Sequence, residues 1–153
     1  MSMTAKQALV SGALLALCLP AHAALGGRVE TIEAERVEFH AKLRTTVHQA
    51  YQVHEMTSAT GLVVKQYAAA DGKIFALSWQ GKWRPDLQQL LGDYFDPFQR
   101  ETASASNKRY GRRPLNVSRD DLVVRTGGHM HAFWGVAYLP QQLPSGINPA
   151  DLQ

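Results

Sequence analysis

No stretch of the chain says more about its architecture than Gly61 to Phe98, GLVVKQYAAADGKIFALSWQGKWRPDLQQLLGDYFDPF, an apolar hairpin that runs directly into an aromatic-faced helix. Asp71-Gly72 suits a two-residue type I′ turn, whose central positions both need positive φ, and it lies between runs rich in Val, Ile, Phe and Tyr. Such a turn pairs Ala70 with Lys73, Ala68 with Phe75, Gln66 with Leu77 and Val64 with Trp79, which gathers Val64, Phe75, Leu77 and Trp79 on one face. The other face, with Val63, Tyr67, Ile74 and Ala76, is also mostly apolar, as expected of central strands covered on both sides.

The strand gives way at Gln80-Gly81, and Pro85 suits a first helical turn, where its missing N–H is no loss. Asp86 there complements the positive end of the helix dipole. Leu87, Leu90, Leu91, Tyr94, Phe95 and Phe98 follow the spacing of one helical stripe, which reads as core. Gly92 and Pro97 interrupt it, and Asp96 is a candidate N-cap for a short second helix.

Residues 1–23 have the parts of an export signal: Lys6 as the sole charge, an apolar run from Ala8 to Leu17, and Ala21-His22-Ala23 before the expected cut. The apolar run is too short to span a bilayer, so no integral membrane segment is expected after cleavage. Cys18, the one cysteine, falls inside the signal; a lipoprotein cysteine favours a small preceding residue, and Leu17 is not small. A mature chain from Ala24 therefore has no disulfide and relies on a packed core, with a periplasmic or secreted location. Removing Lys6 from the 16 basic residues leaves 15 against 13 acidic ones, a net charge of +2 with neutral histidines. That is too slight to imply a polyanionic partner, and nucleic acid is not expected.

Residues 24–153 read as a single α+β domain. Val29 to Leu43 has the pattern of an amphipathic helix, with Ile32, Arg36, Phe39 and His40 towards one side and Glu33, Glu35 and Glu38 mostly away from it. His48 to Met56 alternates as a strand, Tyr51 and Val53 pointing one way and His48, Gln52 and His54 the other. Thr102 to Pro114 is polar and without period, a loop. Leu122 to Thr126 and Met130 to Leu139 read as a second hairpin turned by Gly127-Gly128-His129, with Met130, Ala132, Trp134, Val136 and Tyr138 on one face. The tail from about residue 140, with Pro140, Pro144 and Pro149, is irregular and lies across the surface. The fold class is thus α+β: a mainly antiparallel sheet of about five strands, meander plus hairpin, with an N-terminal helix and a central amphipathic helical segment packed on it.

Four features bear on function. His129 and His131, two apart, and His48 and His54 would supply four imidazoles for a metal only if their strands were neighbours, and no cofactor or metal is assigned. Catalytic signatures such as Gly-x-Ser-x-Gly, His-Glu-x-x-His and a glycine-rich phosphate loop are absent, and no catalytic residue is assigned. Lys108, Arg109, Tyr110, Arg112 and Arg113 form a basic run that suits an anionic envelope component or another envelope protein. Trp83-Arg84, where the hairpin meets the helix, pairs an aromatic with a cation as binding surfaces do. With His129, these make the candidate binding surface.

Gly61 to Tyr67 (GLVVKQY), Gly72 to Gly81 (GKIFALSWQG), Pro85 to Phe95 (PDLQQLLGDYF), Asp121 to Val124 (DLVV) and Gly127 to Met130 (GGHM) together resemble a family of exported bacterial proteins catalogued as domain of unknown function 2844. The resemblance covers nearly all of the mature chain in order; it implies export from a bacterium and supplies no activity, substrate or cofactor. The chain departs from the family pattern at His131, a position that usually holds another residue, often arginine, which weakens the His129/His131 metal pair. The expected function is a non-catalytic binding or structural module of the bacterial cell envelope, partner unknown. The alternative is a small envelope hydrolase or metal-dependent enzyme using His129.

Overall fold

The computed structural model describes residues 24–106 and 115–152. Seven strands, β1 (Lys42–Val47), β2 (Tyr51–Thr57), β3 (Val63–Ala69), β4 (Ile74–Gly81), β5 (Asn116–Ser118), β6 (Val123–His129) and β7 (Ala132–Tyr138), form one sheet in the order β1-β2-β3-β4-β7-β6-β5. Every pairing is antiparallel. The α+β class and the meander-plus-hairpin plan stand, with two strands more than the five expected.

The first added strand, β1, comes out of the segment read as helix. The α-helix α1 covers only Ile32–Glu38. His40 takes φ 46, and the N–H groups of His40 and Ala41 reach back to the carbonyls of Val37 and Arg36, closing a Schellman motif that ends the helix without a glycine. The chain then extends into β1, an edge strand with almost no buried side chain. Glu35, expected to face away, is buried and accepts from Gln66 Nε2 at 2.7 Å. Tyr51 and Val53 do oppose His54 across β2, whereas His48 lies in the preceding turn, stacked on Tyr51 at 4.6 Å.

In the central hairpin Gln66 pairs with Leu77 and Val64 with Trp79, as the alternation requires. The turn is different. Only Gly72 has positive φ (80), Gly72 N–H donates to Ala69 O and Ala69 N–H to Lys73 O, so three residues form the loop rather than two. Asp71 Oδ1 accepts from Lys73 N–H, which explains its place there by a side-chain bond instead of a strained φ. The extra residue is absorbed in a bulge: Ala68 faces Ile74 and Tyr67 faces Ala76. Ile74 and Phe75 therefore exchange faces relative to simple alternation, Ile74 joining Val64, Leu77 and Trp79, and Phe75 joining Tyr67.

The stripe after Pro85 divides at Gly92, as the glycine suggested. Asp86 is the N-cap of α2 (Leu87–Leu91), accepting from Gln88 N–H and Gln89 N–H, and a 3-10 turn (Gly92–Tyr94) leads into α3 (Phe95–Ser106). Asp96 lies inside the first turn of α3 and does not precede it. Pro97 is tolerated there because the first helical N–H groups have no partner within the helix. Thr102 to Ser106, expected as loop, continues α3; the rest of that loop lies outside the described residues. Leu90, Leu91 and Phe98 are buried with Leu25 and Ile32 on one face of the sheet.

The opposite face is covered in part by the C-terminal segment. Leu143, Ile147 and Leu152 pack against Tyr67, Phe75, Val136 and Tyr138, and Leu152 is only 1% exposed. The tail is thus part of the core and not a surface strap. Among the described residues no helix is long and apolar enough to cross a membrane.

Candidate functional site

Gly127, Gly128 and His129 belong to β6, paired with Trp134, Phe133 and Ala132, and the chain reverses over Met130-His131. This corrects the turn expected at Gly127-Gly128-His129, and Met130 sits in the turn rather than on the face of β7. His131 carries the positive φ (66), while Gly128 at φ 115 lets the strand close on its partner. Longer strands push the hairpin end outwards, beside the connection from β4 to α2.

That connection holds Trp83 and Arg84. Gly81 ends β4 opposite Phe133, and Pro85 and the Asp86 cap fix the start of α2, so the three residues between, Lys82, Trp83 and Arg84, are held in a short bent link at the sheet end. Trp83 is 65% exposed and meets the His131 ring edge-on at 5.6 Å. The Arg84 guanidinium lies 5.2 Å from the centre of the Phe133 ring, a cation–π contact. Trp134 lies over Gly127, and a cleft of about 100 Å³ is walled by Arg84, Leu115, Phe133 and Trp134. Leu115 is held there by its backbone, its N–H donating to Thr126 Oγ1 at 2.8 Å and its carbonyl accepting from the same hydroxyl at 3.0 Å.

Of the residues expected at a binding surface, the structure describes Trp83, Arg84 and His129. Trp83 and Arg84 come together with Met130, His131, Phe133 and Trp134, which sequence reasoning did not assign to it. His129 is exposed at the end of β6, its Nδ1 donating to Met130 O at 3.2 Å. Lys108, Arg109, Tyr110, Arg112 and Arg113 lie outside the described residues. The missed residues had one available signal: Phe133 and Trp134 are adjacent, so in a strand they must point to opposite faces, and both cannot be read as one core face.

The four histidines do not converge. β2, with His54, is separated from β7 by β3 and β4, and no group of three or more His, Cys, Asp or Glu that could hold a metal occurs among the described residues. Among the described residues the cleft is lined by neither carboxylate nor imidazole.

His54 instead behaves as a core residue. It is 9% exposed, its Nδ1 lies 3.0 Å from Thr45 Oγ1, and Nε2 is buried with no hydrogen-bond partner among the described residues. Burial lowers its pKa below the ordinary imidazole value. The unfolded chain then takes up the proton first, so the contribution of this group is fully present above the unfolded pKa and is lost as pH falls towards the folded one. Urea midpoints between pH 7.5 and pH 5 are expected to fall less steeply in His54→Gln than in the wild type. Equal slopes would mean that the ring is as well solvated as in the unfolded chain.

A seven-stranded antiparallel sheet, with helices on one face and the C-terminal segment on the other, places the molecule in the α+β class. Within that class the chain belongs to the family described as protein of unknown function (DUF2844), whose model matches residues 21–152. No curated protein and no solved structure matches it.

Proposed function

We propose that this protein is a non-catalytic binding module of the bacterial cell envelope, exported by residues 1–23, cut before Ala24, and periplasmic or secreted thereafter. One observation carries the binding reading. Of the six large apolar side chains exposed among the described residues, four, Trp83, Leu115, Met130 and Trp134, cluster at the β6–β7 end of the sheet. Exposed tryptophan beside a stacked arginine is the composition of an interface centre, where a few such residues carry most of the affinity. The surface comprises Trp83, Arg84, His129 and the hairpin aromatics, extended by the basic run Lys108, Arg109, Tyr110, Arg112 and Arg113. Its partner is another envelope protein or an anionic envelope component. The export reading is supported by the signal-like sequence and by the early start of packing: Leu25 is buried and its N–H donates to Leu90 O. His129 as an enzymatic centre draws no comparable support, since its hydrogen bond among the described residues is to a neighbouring carbonyl.

The test uses the tagged protein expressed in its host and recovered with crosslinked partners from envelope extracts, beside a Trp83→Ala/Arg84→Ala variant. Capture is expected to fall at least tenfold in the variant, about 1.4 kcal/mol or more of binding energy. Equal capture would remove this surface from the function. The N-terminus of the recovered protein is expected to be Ala24; an intact Met1 would overturn export, and a lipid on Cys18 would place the protein on the membrane.

A further inference from the structure

We propose that Trp134 and the hollow beside it form a saccharide-binding site, with the indole stacking on the apolar C–H face of a neutral pyranose. This rests on the reading of the protein as a binding module and adds, beside the surface of Trp83 and Arg84, a separate site for a neutral ligand.

The indole is a built platform. Trp134 stands directly opposite Gly127, and a Cβ there would lie 2.5, 2.6 and 3.0 Å from Cζ2, Cε2 and Nε1, so the indole occupies the space that a side chain on β6 would have taken. Trp134 is nonetheless 48% exposed. A ring held against the backbone on that side has less freedom to lose when a ligand arrives, and that lowers the entropy cost of stacking.

Polar groups stand at the correct side of it. Gln80 pairs with Trp134, and Ser78 and Lys65 pair with one another on the adjoining strands, all on the same face of the sheet. With Val63 and Leu152 they line a hollow of about 320 Å³ in which Trp134 is one wall. This is the size of a small-ligand site, and its lining mixes apolar side chains with a few polar groups. A pyranose offers the complement: axial C–H bonds concentrated on one face and hydroxyls around the rim. Gln80, exposed, supplies an amide that both donates and accepts, as a rim of hydroxyls requires.

Charge selects within that class. Lys65 stands opposite Glu55 in the β2–β3 register, and among the described residues no other cation lines the hollow, so they do not supply the cluster of positive charge that phosphate or nucleic acid needs. A neutral sugar fits better than a sugar phosphate.

The experiment is titration of the purified protein with maltotriose, cellotriose and chitotriose, followed by the Trp134 indole N–H and the Gln80 side-chain amide in nitrogen–proton correlation spectra. At least one of the three is expected to shift both signals saturably. Affinity is expected to fall at least tenfold in Gln80→Ala, and in Trp134→Ala (followed by the Gln80 amide), and to stay within twofold in Val47→Ala, an exposed residue of β1 outside the hollow. Both site variants alter exposed side chains, and unchanged unfolding midpoints would verify that they fold. Absence of a saturable shift with all three sugars, or undiminished affinity in Gln80→Ala, overturns the proposal, as does saturation by a proline-rich peptide or a nucleotide alone. Failure here together with Trp83-dependent capture of an envelope protein would sink the saccharide site and leave the binding-module reading in place.

Discussion

Trp79→Ala is expected to destabilise the protein by about 3 to 5 kcal/mol, the range for truncating a buried aromatic, read from urea or guanidinium unfolding. The indole is 4% exposed and sits in the helix-covered core with Val64, Leu77 and Leu91. Its cross-strand partner is Gly135, where a Cβ would fall 2.1 Å from Cζ2 and 2.4 Å from Cε2. The ring thus fills the space that a side chain on β7 would have taken, and no residue there can close the cavity when it is removed. The same contact predicts coupling. Gly135→Ala should be damaging in the wild type, because the new methyl group meets a packed ring, and much less so in Trp79→Ala. An interaction energy of about 0.5 to 3 kcal/mol is expected from the double-mutant cycle. Additive effects would mean that the indole does not lie over Gly135, and a loss below about 1 kcal/mol for Trp79→Ala alone would mean that the ring is exposed.

What the sequence revealed of this fold follows from where apolar side chains are used. Val64, Leu77 and Trp79, and the stripe from Leu87 to Phe98, report their faces because burial demands periodicity. β1 has no such demand: Lys42–Val47 pairs by its backbone at a sheet edge and buries almost nothing, so no period marks it. The helix before it overran in the reading because His40 does the work usually signalled by glycine. Asp71-Gly72 marked a turn correctly but not its length, since one glycine with positive φ serves a three-residue loop as well as half of a type I′ pair. At the candidate site Trp83 and Arg84 were legible as residues that the core pattern did not absorb. Trp134 was not, because its alternation with Val136 and Tyr138 suggests a common burial, whereas Val136 and Tyr138 are covered by the tail and Trp134 lies beyond it.

Gly128→Val is expected to cost on the order of 3 kcal/mol or more, well above His129→Ala. The reason is not the tight turn that two adjacent glycines suggest, for Gly128 lies within the paired part of β6, opposite Phe133. Its φ of 115 is outside what a β-branched residue adopts, which alone contributes roughly 1 to 3 kcal/mol of strain. A Cβ would also stand 2.1 Å from Ala132 O and 2.8 Å from Phe133 Cα, backbone atoms of the partner strand that cannot withdraw without opening the β6–β7 pairing. His129, one residue on, is exposed with a single bond to Met130 O, so its truncation should stay within about 0.5 kcal/mol. Thermal and chemical unfolding of the two variants beside the wild type decide between them. If His129→Ala were the more damaging, the imidazole would have to be part of a buried network. If Gly128→Val unfolded like the wild type, the close approach of β6 to β7 at Phe133 would not exist, and the hairpin end that carries Met130, His131 and Trp134 would have to be drawn differently.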